Sequence, residues 1–236
     1  MTAKSKALRD APETWRRLRA LHHDADCELT PRDPFQLLVA VVLSAQTTDV
    51  AVNKITPGLF ARWPDAASLA RADVADVEQA IKTIGMFRQK AKNIVGIAKA
   101  LVDRHGGKVP RELDALVQLP GVGRKSANVV LGTAFGIPTG VVVDTHVQRL
   151  AQRLRWTKET KPERIEQDLM KLFPVNDWIM LSHVLIFHGR RVCTARAPAC
   201  ASCPVSDVCP SAGKAEEVGR KPRQERKRDA GTRGRR

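Results

Sequence analysis

A chain of 236 residues with 43% apolar residues can bury one large core or two small ones. Its formal net charge of +15 points to a polyanion partner, nucleic acid before membrane. Residues 211 to 236 hold ten Lys/Arg against four Asp/Glu, so the excess is not confined to the tail. The longest apolar run, Phe35 to Leu43, falls far short of the roughly 20 residues that span a membrane. The opening MTAKSKALRD has no apolar core after its lysines, so no secretory leader is expected. The chain reads as a soluble, cytoplasmic protein.

In chain order, residues 12 to 23 form a predicted helix, with Pro12 at its opening and Trp15, Leu18 and Leu21 on one face. Asp33-Pro34 starts an apolar helix to Leu43, which has no polar face and is therefore buried. The polar stretch Ser44 to Asp49 follows. Thr48 or Asp49 caps a short helix, Val50 to Ile55, expected to stop before Pro57. Asp73 caps a helix to Ile84, and Gly85 ends it. Further helices are predicted over 87–104, closed by Gly106-Gly107, and over 111–118. The segment LPGVGRK, residues 119 to 125, is a glycine turn leading into an apolar helix that runs to Phe135. TIGMFRQKAKNIV, from Thr83, faintly echoes that segment and suggests a second turn of the same kind. Residues 136–143 read as extended. Asp144 then precedes a basic helix to about Arg155, and helices follow at 162–172 and 177–188. No sheet is predicted, so the fold class is all-α. Beyond Cys209 the composition is polar and basic and reads as a disordered tail.

The glycine turn carries the first chemical signal. Gly121 and Gly123 permit a tight turn whose amides point outward at a helix start, where a phosphate fits. Lys125 lies in the first turn of that helix. The positive end of the helix dipole disfavours its ammonium form, which makes the amine a candidate nucleophile. Arg124 occupies the position where a P-loop needs glycine, and Ser126 the third glycine of a dinucleotide fingerprint. The plainer alternative is a helix-entry turn with a surface lysine. Asp144 reads as an N-cap, and also as a carboxylate that could face Lys125.

Four of the five cysteines, Cys193, Cys200, Cys203 and Cys209, are spaced C-x6-C-x2-C-x5-C. A metal centre fits better than disulfides in a reducing compartment. A single zinc usually takes two close pairs, and only Cys200 and Cys203 form one. The longer spacings favour an iron–sulfur cubane, with structural zinc as the alternative. Arg190, Arg191 and Arg196 flank or sit on this loop and are suited to phosphate. Cys27 stands apart as an ordinary thiol.

Taken together, the LPGVGRK turn, the VDTH stretch at Asp144 and the cysteine spacing resemble the endonuclease III family. These are bifunctional DNA glycosylases of the helix-hairpin-helix superfamily. The resemblance runs from about residue 12 to 210 and takes in LSAQTTD at 43–49 and the Ile84-Gly85-Met86 turn. It implies two helical domains with a DNA-binding cleft between them. One would be a six-helix domain, 27–138, with the helix-hairpin-helix. The other would join 1–26 to 139–210 and hold a [4Fe-4S] cluster on Cys193, Cys200, Cys203 and Cys209. Residues 211–236 would be a basic tail. Lys125 matches the catalytic lysine and Asp144 the catalytic aspartate. Gln46 matches the residue that fills the hole left by an extruded base. Met86, often leucine in the family, matches a wedge, with Ile84 beside it. Gly121, Gly123, Arg124, His146 and Arg196 would contact DNA.

The implied activity is base excision repair. The enzyme would be a DNA glycosylase that removes oxidised pyrimidines, with AP lyase activity that cleaves 3′ to the abasic site by β-elimination. Its partner would be damaged double-stranded DNA, bound by a monomer, with no membrane involved. A monofunctional mismatch adenine glycosylase and a non-catalytic DNA-binding protein on the same scaffold are the alternatives. The segment from Lys125 to Asp144, with Gly140, is one residue longer than in the commoner bacterial form.

Overall fold

The computed structural model describes residues 3–31 and 33–218. Helix α3, Pro34–Leu43, is the axis of the first half, and Leu37, Leu38, Val39 and Ala40 have no exposed surface. Asp33 caps it by accepting from Gln36 N–H at 3.0 Å. A helix so apolar leaves no face for water, so other helices must surround it. Against it lie α4 (Asp49–Arg62), α7 (Phe87–His105) and α9 (Arg124–Phe135), and α5 (Ala66–Ala70), α6 (Val74–Ile81) and α8 (Leu113–Val117) extend the same core. Helix α9 packs directly on α3, and α7 lies against α5 and α6. Gly106, at φ +58°, closes α7, and the Gly107 N–H reaches back to Leu101 O.

A second apolar cluster forms from α2 (Ala11–Leu21) with α10 (Thr145–Arg153), α11 (Pro162–Leu172) and α12 (Trp178–Arg191), and α1 (Ala3–Arg9) lies against α2. Trp15, Phe173 and Trp156 meet edge-on in it, with ring centroids 6.3 and 4.8 Å apart. Chain segments from both ends of the sequence therefore share one core, and 136–143 is the crossing between cores. Among the described residues all regular structure is helical, as expected, and no helix is long and apolar enough to cross a membrane.

Several elements depart from expectation. Helix α4 does not stop before Pro57 but continues to Arg62. A proline inside a helix forfeits one hydrogen bond, at a cost of about 3 kcal/mol. Thr56, Leu59 and Phe60 are buried around it, and that packing outweighs the loss. The helix expected to reach Ile84 ends at Ile81, where Lys82 closes it. Helices α1 and α5 carry too short a pattern to be predicted. The tail also begins later than expected. Residues 211–218 are folded, with Ser211 and Ala215 buried and Ser211 Oγ donating to Arg153 O at 2.7 Å. Their polar composition hides this, because the contacts they make are to backbone. The rest of the predicted tail, 219–236, lies outside the described residues.

Candidate active site

The hairpin α8–turn–α9 is built around its glycines. Gly121 sits at φ +74°, and a Cβ there would collide with the Asn93 amide. Both facts require glycine. Gly123 is the N-cap of α9 and contributes no side-chain cap. The first N–H groups of α9 are therefore open to an outside acceptor. Lys125, in that first turn, is exposed and lines a cleft of about 310 Å³ between the two cores.

Across the cleft, Asp144 precedes α10. Its Oδ1 accepts from the backbone N–H groups of His146 and Val147 at 2.8 and 2.9 Å. Oδ2 takes no hydrogen bond among the described residues, and Asp144 lines the same cleft as Lys125. The cap and the facing carboxylate are thus compatible on one side chain. Gln46 also lines the cleft, at a backbone φ of 54°. Met86 stands half exposed at φ 56° as the N-cap of α7. Both are left-handed positions that a non-glycine residue adopts only under constraint.

The other expected contact residues divide. Ile84 is only 5% exposed and packs into the first core, so its side chain does not reach the surface. Arg124 forms a two-pronged pair with Glu166, at 2.9 and 3.1 Å, rather than pointing freely outward. His146 shares its Nδ1 with Arg149 at 3.3 Å. Arg196 is exposed with no partner among the described residues.

Asp49 and Arg190, read from the sequence as a helix cap and a phosphate-suited arginine, turn out to be cleft residues that pair with each other. Asp49 enters the cleft half-buried, and burial raises its carboxyl pKa. The charge of Lys125 opposes that rise and Asp144 adds to it. Arg190 bridges the cores by pairing with Asp49 at 3.1 Å and with Glu28. Asp49 was legible only as a helix-start residue, because its distant neighbours leave no local mark.

The four cysteines line one cavity beneath α10 and α12. Four thiols lining one cavity suit a cubane, which Cys₄ ligation usually holds and whose thiolates sit farther apart than around one zinc. Burial pushes the Cys203 and Cys209 thiols up, so their ionisation needs nearby positive charge, as bound iron provides. Arg153, 1% exposed, donates to Cys193 Sγ at 3.2 Å and to the carbonyls of Thr194 and Ala195. His188 Nε2 lies 3.6 Å from Cys203 Sγ. Its pKa is lowered to about 4 by burial and by His22, so the ring is neutral. These residues fit an iron–sulfur cluster.

A cleft between two helical cores, with a lysine behind a glycine hairpin and a carboxylate opposite, defines a class. The family of HhH-GPD superfamily base excision DNA repair proteins matches residues 39–175. The iron–sulfur binding domain of endonuclease III matches residues 193–209. Endonuclease III of Synechocystis sp. is 54% identical over 195 residues, spanning 83% of this chain and 89% of the relative. A solved non-covalent endonuclease III–DNA complex superposes with a TM-score of 0.82 at 41% identity, covering 89% of this chain and 97% of the other. A trapped endonuclease III–DNA covalent intermediate gives a TM-score of 0.83 at 40% identity, with the same coverage of both chains. The chain belongs to the endonuclease III family.

Proposed function

We propose that this protein is a base excision repair DNA glycosylase and AP lyase that acts on oxidised pyrimidines in duplex DNA. The observation that carries the reading is that Lys125 and Asp144 line one cleft together with Gln46. A base inside a duplex is out of reach, so it must be extruded into that cleft. Gln46 would fill the vacated space and Met86 would press on the opposite strand, offsetting lost stacking. The amides around Gly121 and Gly123, with Arg196, would grip the backbone phosphates.

The Lys125 Nζ attacks C1′ of the sugar, and the bond from C1′ to the base breaks. The base leaves with the electron pair and takes up a proton. Asp144 Oδ2 accepts the proton shed by Nζ and stabilises positive charge on the sugar. The sugar ring opens to an iminium between Nζ and C1′, which makes the C2′ proton acidic. Loss of that proton forms the C2′–C3′ double bond and expels the 3′ phosphate. Water then hydrolyses the imine and frees the lysine. A hydroxyl or carboxylate nucleophile cannot make an imine, so the lyase step requires an amine.

The cofactor is a [4Fe–4S] cluster, which Cys193, Cys200, Cys203 and Cys209 would hold. When bound, it cross-links the loop that presents Arg196. We read the two apolar clusters as two domains, 27–138 and 1–26 with 139–210.

Borohydride trapping tests the scheme. The protein should form a covalent adduct with thymine-glycol or abasic duplex, and Lys125→Ala should form none. Base release without an adduct would instead show a monofunctional glycosylase, and binding alone a protein without this chemistry.

A further inference from the structure

The mechanism leaves one buried amine unused. Lys90, on α7, is 3% exposed, and its Nζ donates to Thr47 Oγ1 at 2.6 Å. Thr47 follows Gln46 in the chain. One helical turn before Lys90 is Met86, whose carbonyl accepts from the Lys90 N–H at 3.0 Å. A single residue thus joins the two turns, its side chain reaching the one that carries Gln46 and its backbone N–H, in the first turn of α7, holding the one that carries Met86. The two turns are 40 residues apart in sequence, and both hold a non-glycine residue in left-handed backbone, at φ 54° and 56°.

The bond is an unusual choice for a packing role. Burial lowers the Lys90 pKa, and no carboxylate among the described residues compensates the charge. An apolar side chain of the same length would fill this space without desolvating an ammonium. A directed hydrogen bond is what lysine adds. A second nucleophile is the other role open to a desolvated amine, but Lys90 does not line the cleft of Lys125 and Asp144. Its geometry addresses a neighbouring turn instead.

We propose that Lys90 is a positioning residue, which locks the Gln46 and Met86 turns into one rigid unit so that both enter the duplex in a single step. Resting on the glycosylase reading above, it adds how base extrusion is organised. Neither turn is held by its own sequence alone. The Met86 position has no side-chain cap, and the Gln46 turn is closed by two short-range backbone bonds, Ala45 N–H to Val42 O and Thr47 N–H to Ser44 O. Without Lys90 each residue would still be present, but the two would sample separate positions and rarely be in place together.

The test uses the full-length, cluster-loaded protein. Lys90→Met and Thr47→Val remove the bond from opposite ends, and Thr47→Ser keeps it. Single-turnover base release is measured on thymine glycol in a duplex, with 2-aminopurine fluorescence reporting extrusion. Strand cleavage at an abasic site in single-stranded DNA needs no wedge and serves as the comparison. In the duplex both disrupting variants should slow extrusion and base release about tenfold, the worth of one charge-assisted hydrogen bond. On the single strand they should stay within about twofold of wild type. Thr47→Ser should behave as wild type, and the double variant should be no worse than either single one. Equal losses on both substrates, or none on either, would overturn the proposal while leaving the enzyme reading intact. A wild-type protein that forms no borohydride adduct would overturn both.

Discussion

One oxygen of Asp144, Oδ1, is committed to the start of α10, and the other has no hydrogen-bond partner among the described residues, on a side chain that lines the cleft. Substitutions can therefore separate the two duties. Asparagine keeps a carbonyl oxygen at the cap but loses the charge. Asp144→Asn should melt within about 0.5 kcal/mol of wild type and still lose base release by about a hundredfold or more. Asp144→Ala should lose activity and also about 1 kcal/mol of stability, measured by urea unfolding. Equal unfolding of the two variants would show that Oδ1 carries no capping energy. Asp49 offers a second test, through pH. Burial raises its pKa above 3.8, so the folded chain keeps this proton in a window where the unfolded chain has released it. Stability contributed by this group therefore falls as pH rises through that window. Asp49→Asn should remove this part of the pH dependence, so that the stability difference between variant and wild type changes as pH rises from 3.8 and is flat below it, read by urea unfolding at a series of pH values. Arg190 would keep Glu28 as a partner in that variant, so no cation is stranded.

Between elements, the tie that matters most to Lys125 is the strut from α9 to α11. Glu166, 6% exposed, takes both prongs of Arg124 and also the Asn128 amide at 2.9 Å. Thr139 in turn donates to Asn128. Gly140 packs over this network, and a Cβ there would fall onto Glu166 Oε1 and lie 2.6 Å from Asn128 Nδ2. The loop at 136–143 is therefore seated rather than loose, with glycine at its contact point. Glu166→Gln should cost about 2 kcal/mol, less than a fully buried pair because Arg124 is half exposed. Chemical denaturation would measure it, and an unchanged midpoint would show that the strut adds no stability. None of this was legible in the sequence, since Arg124 and Glu166 stand 42 positions apart. What was legible is local. Asp33, Thr48, Asp73 and Asp144 each cap the helix that follows, because capping involves only neighbours in the chain. Pro57 misled for the opposite reason: its local cost is real, but Leu59 and Phe60 reach a distant core that repays it. Lys125 and Asp144 could be named from their motifs, while their shared cleft had to wait for the fold.

At the scale of the whole molecule, the basic charge and the cluster side meet in the last residues. Arg153 is fully buried and donates to Val218 O at 3.0 Å as well as to the cysteine loop. Ser211 returns a bond to Arg153 O. The chain up to 218 is thus part of the support for the cysteines, whereas residues 219–236 hold nine Lys/Arg against two Asp/Glu. Two truncations separate these roles. Removing 219–236 should leave the melting temperature unchanged and flatten the dependence of DNA affinity on salt, by about 0.9 in the log–log slope for each phosphate no longer neutralised. Removing 211–236 should flatten the slope equally and also strip Arg153 and its carbonyl of partners. A buried guanidinium left short of acceptors costs about 2 kcal/mol. Cluster absorbance should then disappear at lower denaturant concentration than in the shorter truncation. If the salt slope survives removal of 219–236, the basic charge that grips DNA lies on the folded body, on Arg196 and the hairpin turn, and the terminal segment adds nothing to binding.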